Sequence, residues 1–579
     1  MNTEKFAKRK MNKMIDTKKN KILGFLGFGA FVVFIELMFF RNIIGNDNLI
    51  GNNGDARYID LILEHYYGFL NGRENFTDLI CFYPVKNTIS YSDMLLALAI
   101  PFCIFRFMGM SMFMANKLGL ILIHTIGTIS TVSFLNKKLK FNPFATAIGT
   151  IVFCYANSLS VKSWHNQMFA VCLVPVILIL LWNFFENINK STKIRVFSGF
   201  GAITMLALIF YTSFYNAYYF LIYAIFLITV YMITLSVKKV PIFKPIGAFF
   251  KFHIIEVIFY VLYGIGIMIP FLIIYLPTLQ SSGGWDWEPV QSMLPTWRDF
   301  FNVSPFNIVY GAFMEGNFFK LEGFYAGELR TGFPLITFFL FVVASIWLYF
   351  KYGKKKYSKK NTSFEKSSYI ELLFFAGAIA VFCCFLIMLK VHGYSIWYII
   401  YKYLPGASGL RAVSRFNMFL TLPVAIISAF FADKMIPLLK LPKIKKIVML
   451  VGICGWLILE NTLSVGVRSL WTISEASKIT QTASAPPADC QVMYIIDSGD
   501  KKQFNNDKDY QLAAWEIANK YNIVTINGHS GQFPSDWSYK MSPYHSEEEY
   551  YKSIDEWISN YQISDVYAYD INTNTWIKY

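Results

Sequence analysis

The segment NNGDARYIDLILEHYYGFLNG, residues 52–72, concentrates ionisable side chains in a chain where charged residues make up only 16% of the total. Within eleven of its positions stand Asp55, Arg57, Asp60, Glu64 and His65. A carboxylate can act as a general base when it comes within about 3 Å of a hydroxyl group. The segment is therefore the first candidate for proton transfer or for binding a polar ligand.

Asp55 follows Asn53 and Gly54, which favour a turn, and precedes a run with helical spacing of apolar residues. Two interpretations stay open: Asp55 is a catalytic base, or it only caps the helix that begins there. If it is a base, burial against aromatic residues is expected to raise the pKa of its carboxyl toward the working range.

Asp60 and Glu64 are four residues apart and therefore share one face of the predicted helix. Two carboxylates on one face can hold a cation or a sugar, although a solvated helix face has the same pattern. Arg57 and His65 lie beside them and are further candidate ligands.

Two short motifs elsewhere place polar groups at the ends of predicted helices. WHNQ (164–167) brings His165 and Gln167 there, as substrate contacts or as ordinary interface residues. Arg411 and Arg415 are four apart at the start of a predicted helix. Helix N-termini favour anions and arginine can grip a phosphate through two hydrogen bonds, although arginine is also a plain interfacial anchor.

WDWEP (285–289) joins Trp285 to Asp286 and Glu288. Sugars stack on aromatic faces while carboxylates accept hydrogen bonds from their hydroxyls; an interface-seated loop is the alternative. Glu36 lies within the first apolar run. A buried carboxylate costs about 2.5–3.5 kcal/mol on membrane-insertion scales, so Glu36 should have a partner there.

The elements that must position these residues are membrane helices. Of the 579 residues 55% are hydrophobic and 18% aromatic, more than a soluble domain can carry. Crossing a bilayer takes about 20 apolar residues, and the chain has many apolar runs of this length. The predicted fold class is therefore an α-helical polytopic membrane protein. Eleven spans are predicted, at 22–40, 115–135, 143–161, 168–185, 196–215, 217–236, 253–277, 332–350, 369–389, 416–432 and 447–463.

The apolar segment 93–108 is short and contains Pro101, so it is predicted to be an interfacial or re-entrant helix. The loops on one side of the membrane then hold 30 Lys and Arg against 5 Asp and Glu, whereas the three long segments on the other side, 41–114, 279–331 and 464–579, hold 17 and 28. By the positive-inside rule, the basic N-terminus, 1–21, is cytoplasmic and the C-terminus is extracytoplasmic. Because the basic residues are scattered in short clusters between apolar runs, nucleic acid is not a predicted partner.

The predicted domains are a transmembrane domain, 22–463, and an extracytoplasmic α/β domain, 464–579. Two long loops, 41–114 and 279–331, lie on the outer side of the transmembrane domain, and loops of this length are commonly functional. The α/β domain has predicted strands at 490–497, 522–528 and 564–571 and predicted helices at 509–522 and 546–562.

A set of motifs along the chain resembles a known family. In chain order they are GDAR (54–57), YP (83–84), YSD (91–93), WHNQ (164–167), LPGASGLRAVSRF (404–416) and INGHSGQFP (526–534). Together they resemble the bacterial YfhO-like membrane proteins, which belong to the GT-C superfamily of glycosyltransferases. The resemblance covers most of the chain.

The resemblance implies a GT-C-like fold and an inverting transfer of a sugar on the outer face of the membrane. The donor would be a sugar linked to a polyprenyl phosphate such as undecaprenyl phosphate. The acceptor would be an envelope polymer such as a teichoic acid or a surface polysaccharide. Separate proteins that synthesise and flip the donor are implied partners, beside the lipid bilayer itself.

Asp55 matches the position of the GT-C catalytic base. We assign the donor phosphate to Arg411, Arg415, His165 and Gln167. We assign the acceptor or the sugar to Arg57, Asp60, Glu64, His65, Trp285, Asp286 and Glu288. No cofactor is required by the pattern, and a divalent metal stays open because no unambiguous ligand set is present.

The main alternative is a transporter or flippase for lipid-linked sugars. Transporters usually carry polar residues at mid-membrane on broken helices, and often show internal repeats. In this chain most charges cluster in the loops, which favours chemistry at the membrane surface. A non-catalytic receptor is a third reading, but it would need few spans and no acidic first loop.

Overall fold

The computed structural model describes residues 24, 26–240, 243–314, 326–354, 366–467, 469–500, 502–504, 506–537 and 546–579. The predicted basic N-terminus, 1–21, lies outside the described residues, as do parts of the loops 279–331 and 351–368.

The described residues are mostly helical. In chain order the helices are α1 (Leu26–Phe39), α2 (Asp55–Leu70), α3 (Leu96–Phe107), α4 (Met112–Ser133), α5 (Pro143–Cys154), α6 (Asn157–Val161), α7 (Val174–Glu186), α8 (Thr192–Phe210), α9 (Phe214–Val237), α10 (Phe243–Ser282), α11 (Trp287–Ser292), α12 (Gly311–Met314), α13 (Leu335–Leu348), α14 (Lys366–Met388), α15 (Trp397–Tyr403), α16 (Phe416–Met435), α17 (Lys443–Asn461), α18 (Ile473–Thr482), α19 (Asp507–Tyr521) and α20 (Glu547–Tyr561).

Nine helical stretches among the described residues are long and apolar enough to cross a membrane, so the chain is a multi-pass membrane protein. Each coincides with one of the eleven predicted spans. The other two predictions also fall on helices. The described part of the first, α1, is a shorter apolar helix. The last, α17, carries three lysines and one glutamate and is therefore less apolar.

The helix α3 occupies most of the segment 93–108, which was predicted not to span. It has 12 residues and contains Pro101. At a rise of 1.5 Å per residue it is about 18 Å long, well short of a hydrocarbon core of about 30 Å. Its length therefore agrees with an interfacial or re-entrant helix.

A buried polar contact links two of the membrane helices. Glu36 on α1 accepts a hydrogen bond from Thr128 at 2.6 Å and lies 2.8 Å from His124 Nδ1, both on α4. The other nitrogen of His124 lies 2.8 Å from the carbonyl oxygen of Cys154. The expectation that Glu36 has a partner is confirmed, and these contacts fix α1 against α4.

The C-terminal region contains a small sheet with strands β1 (Val492–Ile496), β2 (Val524–Thr525), β3 (Val566–Asp570) and β4 (Thr575–Lys578). Their order is β2-β1-β3-β4, with β1 parallel to both neighbours and β4 antiparallel to β3. All residues of β1 and β3 are buried, as expected for central strands covered on both faces.

The sequence predicted three of these strands and two of the three described helices of this region, α19 and α20, but not α18. It missed the edge strand β4, because a four-residue strand with mostly exposed side chains has no apolar pattern of its own. Thr472 and Ser546 begin α18 and α20 with capping boxes, completed by Glu475 and Glu549.

The C-terminal region packs onto the segment that follows α2. The Tyr83 amide donates to the Thr525 carbonyl at 3.0 Å, and Trp557 Nε1 donates to the Tyr83 carbonyl at 2.9 Å. A Cβ atom on Gly528 would come within 2.5 Å of the Phe82 ring, so glycine is required for this close approach. Segments that the charge count assigns to the same side of the membrane are thus in contact.

Candidate active site

Charged side chains from distant parts of the chain meet around the carboxylate of Glu328. Lys162 Nζ donates to Glu328 Oε2 at 2.9 Å, and Arg415 Nε donates to the same oxygen at 3.0 Å. His165 Nε2 lies 3.3 Å from Oε1. The side chains are between 0% and 16% exposed, so these charges interact with little screening by water. We call these four residues the Glu328 cluster.

Each member of the cluster stands at the end of a helix. Lys162 follows α6, His165 precedes the 3-10 helix that leads into α7, and Arg415 precedes α16. Glu328 lies in a 3-10 turn that precedes α13. Ser414 Oγ donates to the Glu328 carbonyl at 2.8 Å and so fixes this turn against the start of α16.

Asp55 is the first residue of α2 and lies beside this cluster. Its Oδ2 is 4.0 Å from His165 Nδ1, and its Oδ1 accepts a hydrogen bond from Lys508 Nζ on α19. Gly54 occupies the N-cap position, so the interpretation of Asp55 as the helix cap is wrong. The Asp55 side chain is 40% exposed, which leaves room for a hydroxyl to approach it.

The protonation states follow from these contacts. Burial and the charge of Arg415 lower the pKa of His165 to about 4, so its ring is neutral at neutral pH. Burial raises the pKa of the Asp55 carboxyl, but His165 and Lys508 outweigh burial and lower it to about 2. Because His165 is uncharged above about pH 4, Lys508 is the cation that keeps Asp55 ionised at neutral pH. The expected rise in the pKa of Asp55 is therefore wrong.

The hydrogen bonds also assign the His165 tautomer. Arg415 Nη2 lies 2.9 Å from His165 Nε2 and can only donate to it, and this contact is shorter than the 3.3 Å between Nε2 and Glu328 Oε1. The proton of the neutral ring then sits on Nδ1, the nitrogen that faces Asp55.

The cluster keeps its charges at neutral pH. Burial raises the pKa of Glu328, but Arg415 and Lys162 lower it well below its usual range. Burial lowers the pKa of Lys162 to about 8. Arg330 adds another cation near Lys162, and its Nε is buried with no hydrogen-bond partner among the described residues. Such an atom is a donor available to a ligand.

Arg411 extends this site toward Trp285. Its guanidinium carbon lies 4.3 Å from the centre of the Trp285 ring. The backbone N–H of Arg411 donates to the Tyr215 hydroxyl at 3.0 Å, and the Tyr215 ring lies 5.3 Å from the guanidinium of Arg415. The two predicted arginines are therefore joined through one tyrosine.

The two carboxylates of WDWEP lie at the start of a short helix. Asp286 occupies the N-cap position of the short helix α11, and Glu288 lies in its first turn. Both are exposed. Of this motif, Trp285 contacts Arg411.

Gln167 hydrogen-bonds to a second buried carboxyl group, that of Asp93. Asp93 also accepts a hydrogen bond from the Phe214 amide at the start of α9, at 3.2 Å. Burial raises the pKa of Asp93 to about 6, although the nearby Arg415 opposes this rise. Gln167 Oε1 is buried without a partner among the described residues.

Asp60 and Glu64 have partners within the fold. Asp60 accepts a hydrogen bond from Asn116 Nδ2 at 2.7 Å, and Glu64 accepts two from Arg106, each at 2.8 Å. Both residues are buried, so they do not form a solvated helix face. The structure does not bring them to the Glu328 cluster.

Arg57 and His65 likewise make structural contacts. Arg57 donates to both carboxylate oxygens of Glu516 on α19, at 2.6 and 2.8 Å, and this pair is buried. His65 lies 2.6 Å from Glu74 Oε2 and 3.1 Å from the Phe76 carbonyl oxygen. Arg57 thereby joins α2 to the C-terminal region, and His65 fixes the turn after α2.

Sequence reasoning missed several residues of this site, namely Lys162, Glu328, Arg330, Asp93 and Lys508. Two of them had a signal: Lys162 stands three residues before His165, and Asp93 belongs to the motif YSD. Lys508 had none, because it is 453 residues from Asp55 along the chain.

Among the described residues, no group of three or more His, Cys, Asp or Glu side chains is arranged to hold a metal ion. The carboxylates of the site face cations: Asp55 faces Lys508, and Glu328 faces Lys162 and Arg415. This donor set does not fit a divalent metal, which prefers several oxygen ligands together.

Comparison with protein-family models gives no match, and comparison with curated proteins gives none. Among solved structures, the chain is similar to two structures of the Archaeoglobus fulgidus oligosaccharyltransferase. One contains zinc and sulfate, and the other, named AglB, contains an inhibitory peptide and a dolichol-phosphate. Both are 12% identical, with TM-scores of 0.44 and 0.45 over 86% of this chain. This chain spans 62% and 64% of their length.

ArnT from Cupriavidus metallidurans, in a structure bound to undecaprenyl phosphate, is 11% identical with a TM-score of 0.43. The match covers 86% of this chain and 85% of ArnT. Similarity at this level carries no argument about activity, which has to be argued from the side chains of the site.

Proposed function

We propose that the protein is a membrane glycosyltransferase that moves a sugar from a polyprenyl-phosphate donor to a polymer of the cell envelope. The observation that carries this proposal is the position of Asp55, a half-buried carboxylate 4.0 Å from His165 at the edge of a buried group of cations. A base for an acceptor hydroxyl and positive charge for a departing phosphate are the two requirements of such a transfer. The motif resemblance to GT-C glycosyltransferases supports the same reaction.

In the proposed step the acceptor hydroxyl hydrogen-bonds to Asp55. The acceptor oxygen bonds to the anomeric carbon of the sugar, and its proton passes to the Asp55 carboxylate. A carboxylate with a pKa of about 2 is a weak base. It is sufficient because the hydroxyl becomes strongly acidic as its oxygen bonds to the sugar. Asp55 acts as a base and not as a nucleophile, so a single displacement inverts the anomeric configuration.

The leaving group is the polyprenyl phosphate. The bond between the anomeric carbon and the phosphate oxygen breaks, and both electrons go to that oxygen. We assign the phosphate to Arg415, Arg411 and Arg330, because guanidinium groups bind phosphate through paired hydrogen bonds. His165 and Gln167 complete the proposed contacts.

Glu328 has a positioning role in this proposal. Without it, Lys162 and Arg415 would be buried like charges without a counter-ion, which is costly. Glu328 holds them together, and the cations in excess of its single charge stay available to the phosphate.

The charge distribution of the loops supports an extracytoplasmic site for this reaction. The prenyl chain of the donor can then stay in the bilayer while its sugar meets Asp55. Enzymes that make the donor and flip it across the membrane are the proposed partners.

The test uses purified full-length protein in liposomes with radiolabelled undecaprenyl-phosphate sugars and a mixture of cell-wall polymers. Asp55→Asn keeps the size of the side chain and removes the base, and should lower sugar transfer about 100-fold or more. Asp555→Asn, an exposed change of the same kind on α20, should leave transfer unchanged.

Transfer that survives Asp55→Asn would contradict the assignment of the base. If the wild-type protein transfers no sugar but moves the labelled lipid across the bilayer, the protein is a flippase instead.

A further inference from the structure

A cavity lies away from the Glu328 cluster, between α2 and the C-terminal region. Its volume is about 620 Å³. Its walls come from the second half of α2, the turn between α3 and α4, and the helices α18 and α19. The charged side chains of the lining, together with the amide of Asn519, belong to Glu64, Arg73, Arg106, Glu516, Asn519 and Lys520.

The charges that line the cavity do not cancel. Glu64 is neutralised by Arg106, which donates two hydrogen bonds to it at 2.8 Å. Glu516 is neutralised by Arg57, outside the lining. The remaining charges of the lining are the exposed cations Arg73 and Lys520. Lys520 Nζ also donates to the Ala483 carbonyl at 3.0 Å, which leaves its other two N–H groups for a ligand. The cavity therefore favours a negatively charged ligand.

The rest of the lining combines uncharged polar groups with the side chains of Tyr67, Met112 and Phe113. Asn71, Ser111, Ser477 and Thr480 contribute amide and hydroxyl groups. Asn519 Nδ2 is buried and has no hydrogen-bond partner among the described residues. An unpartnered buried donor of this kind fits a ligand that brings acceptor oxygens.

The cavity and Asp55 share the helix α2. Glu64 is nine residues from Asp55, which corresponds to about 14 Å along the helix. A ligand that reaches both the cavity and Asp55 must be extended. A polymer is long enough for this, whereas a single sugar is not.

We propose that this cavity binds a segment of an anionic, hydroxyl-rich polymer, the acceptor of the proposed reaction, at a distance from its reacting hydroxyl. The anionic groups would be phosphodiesters of a polyol chain or carboxylates of an acidic polysaccharide. In both cases Arg73 and Lys520 contact the charges, and Asn519 donates to an oxygen of the chain. The identity of the polymer as acceptor rests on the proposed function; the binding itself does not.

The experiment measures polymer binding to full-length protein in nanodiscs without any donor. The probes are fluorescently labelled poly(glycerol phosphate), polygalacturonate and neutral dextran of matched length. One or both anionic polymers should bind, and dextran should not. The stronger of the two anionic probes identifies the kind of charged group that the cavity prefers.

The variants are Arg73→Glu and Lys520→Glu, which reverse exposed charges in the lining. Each should weaken the binding of the anionic polymer about tenfold or more, because hydrogen bonds to charged groups are the strong ones. Lys552→Glu, on an exposed lysine of α20, is the matched control and should bind as the wild type does. Size-exclusion profiles of all variants, including the milder change Lys520→Gln, show whether a loss of binding comes from misfolding.

Equal binding of dextran, no binding of either anionic polymer, or unchanged binding by both cavity variants would overturn the proposal. The variant Asp55→Asn distinguishes a failure of the polymer-binding proposal from a failure of the proposed transfer reaction. This variant should keep polymer binding while losing sugar transfer, and wild-type protein that binds polymer but transfers no sugar would refute only the transfer reaction.

Discussion

At the scale of single residues, the neighbours of a carboxylate decide its chemistry more than its burial does. Asp55 was expected to gain basicity from burial, but His165 and Lys508 outweigh burial and lower its pKa to about 2. Asp93, which has no hydrogen-bonding cation among the described residues, shows the opposite behaviour, with a pKa of about 6. The two carboxyls are thus suited to different roles near one arginine.

His165 predicts a pH dependence of stability. Its pKa of about 4 lies below the usual value of 6.5, so the unfolded chain binds its proton more readily than the folded protein. The stabilisation is complete above about pH 6.5 and is lost as the pH falls through about 4. Melting temperatures measured between pH 7 and pH 4 should fall on acidification, and His165→Gln should reduce that fall. An identical fall in the variant would contradict the assignment of a depressed pKa.

The sequence predicted Asp55, His165, Arg411 and Arg415 as site residues because helix ends with polar motifs are visible in a linear pattern. The structure joins all four through direct contacts and through Tyr215. Glu328 and Lys508 could not be predicted in this way. Their partners lie far away along the chain, and only tertiary packing brings the charges together.

At the scale of elements, α2 differs most from its prediction. Its polar positions were assigned to ligands because a helix with carboxylates on one face usually turns that face to water or to substrate. In the structure α3, α4 and α19 cover the helix and supply the partners of Glu64, Asp60 and Arg57. His65 finds its partners in the turn that follows α2. The helix itself was predicted correctly, but elements remote in sequence contact the polar side chains that were assigned to ligands.

The buried pair Arg57–Glu516 should be the main electrostatic link between α2 and α19. Arg57→Met leaves the carboxylate of Glu516 buried without its partner and should destabilise the protein by about 3–5 kcal/mol. The double variant Arg57→Met/Glu516→Leu removes both charges and should recover most of this loss. Thermal unfolding in detergent measures both effects.

Equal destabilisation by the single and the double variant would show that packing, and not the unpaired charge, is responsible. Lys552 and Glu556 form an exposed ion pair on α20. The corresponding single and double variants of this pair should change stability little.

At the scale of the whole molecule, the charge count and the contacts agree on which segments lie together. The segment after α1, the loop that contains Glu328 and the C-terminal region meet at one end of the helices. The hydropathy pattern predicted this grouping because charge asymmetry and span number together restrict the topology. Which end faces the cytoplasm stays a prediction.

A labelling experiment measures that orientation. Cysteine introduced at Asp555, on α20, should react with a membrane-impermeant maleimide in intact cells. Cysteine introduced at Lys440, between α16 and α17, should react only after the membrane is permeabilised. Labelling in the reverse order would place the C-terminal region in the cytoplasm and remove the proposed access to envelope polymers.

The contact between Lys508 and Asp55 also sets an order of events during synthesis. Asp55 leaves the ribosome early, whereas Lys508 follows only after all the helices that precede the C-terminal region. Throughout that interval the nascent chain already contains the carboxylate but lacks the ammonium group that will face it. The finished arrangement of charges therefore arises only when translation nears its end, and a chain released prematurely would lack it.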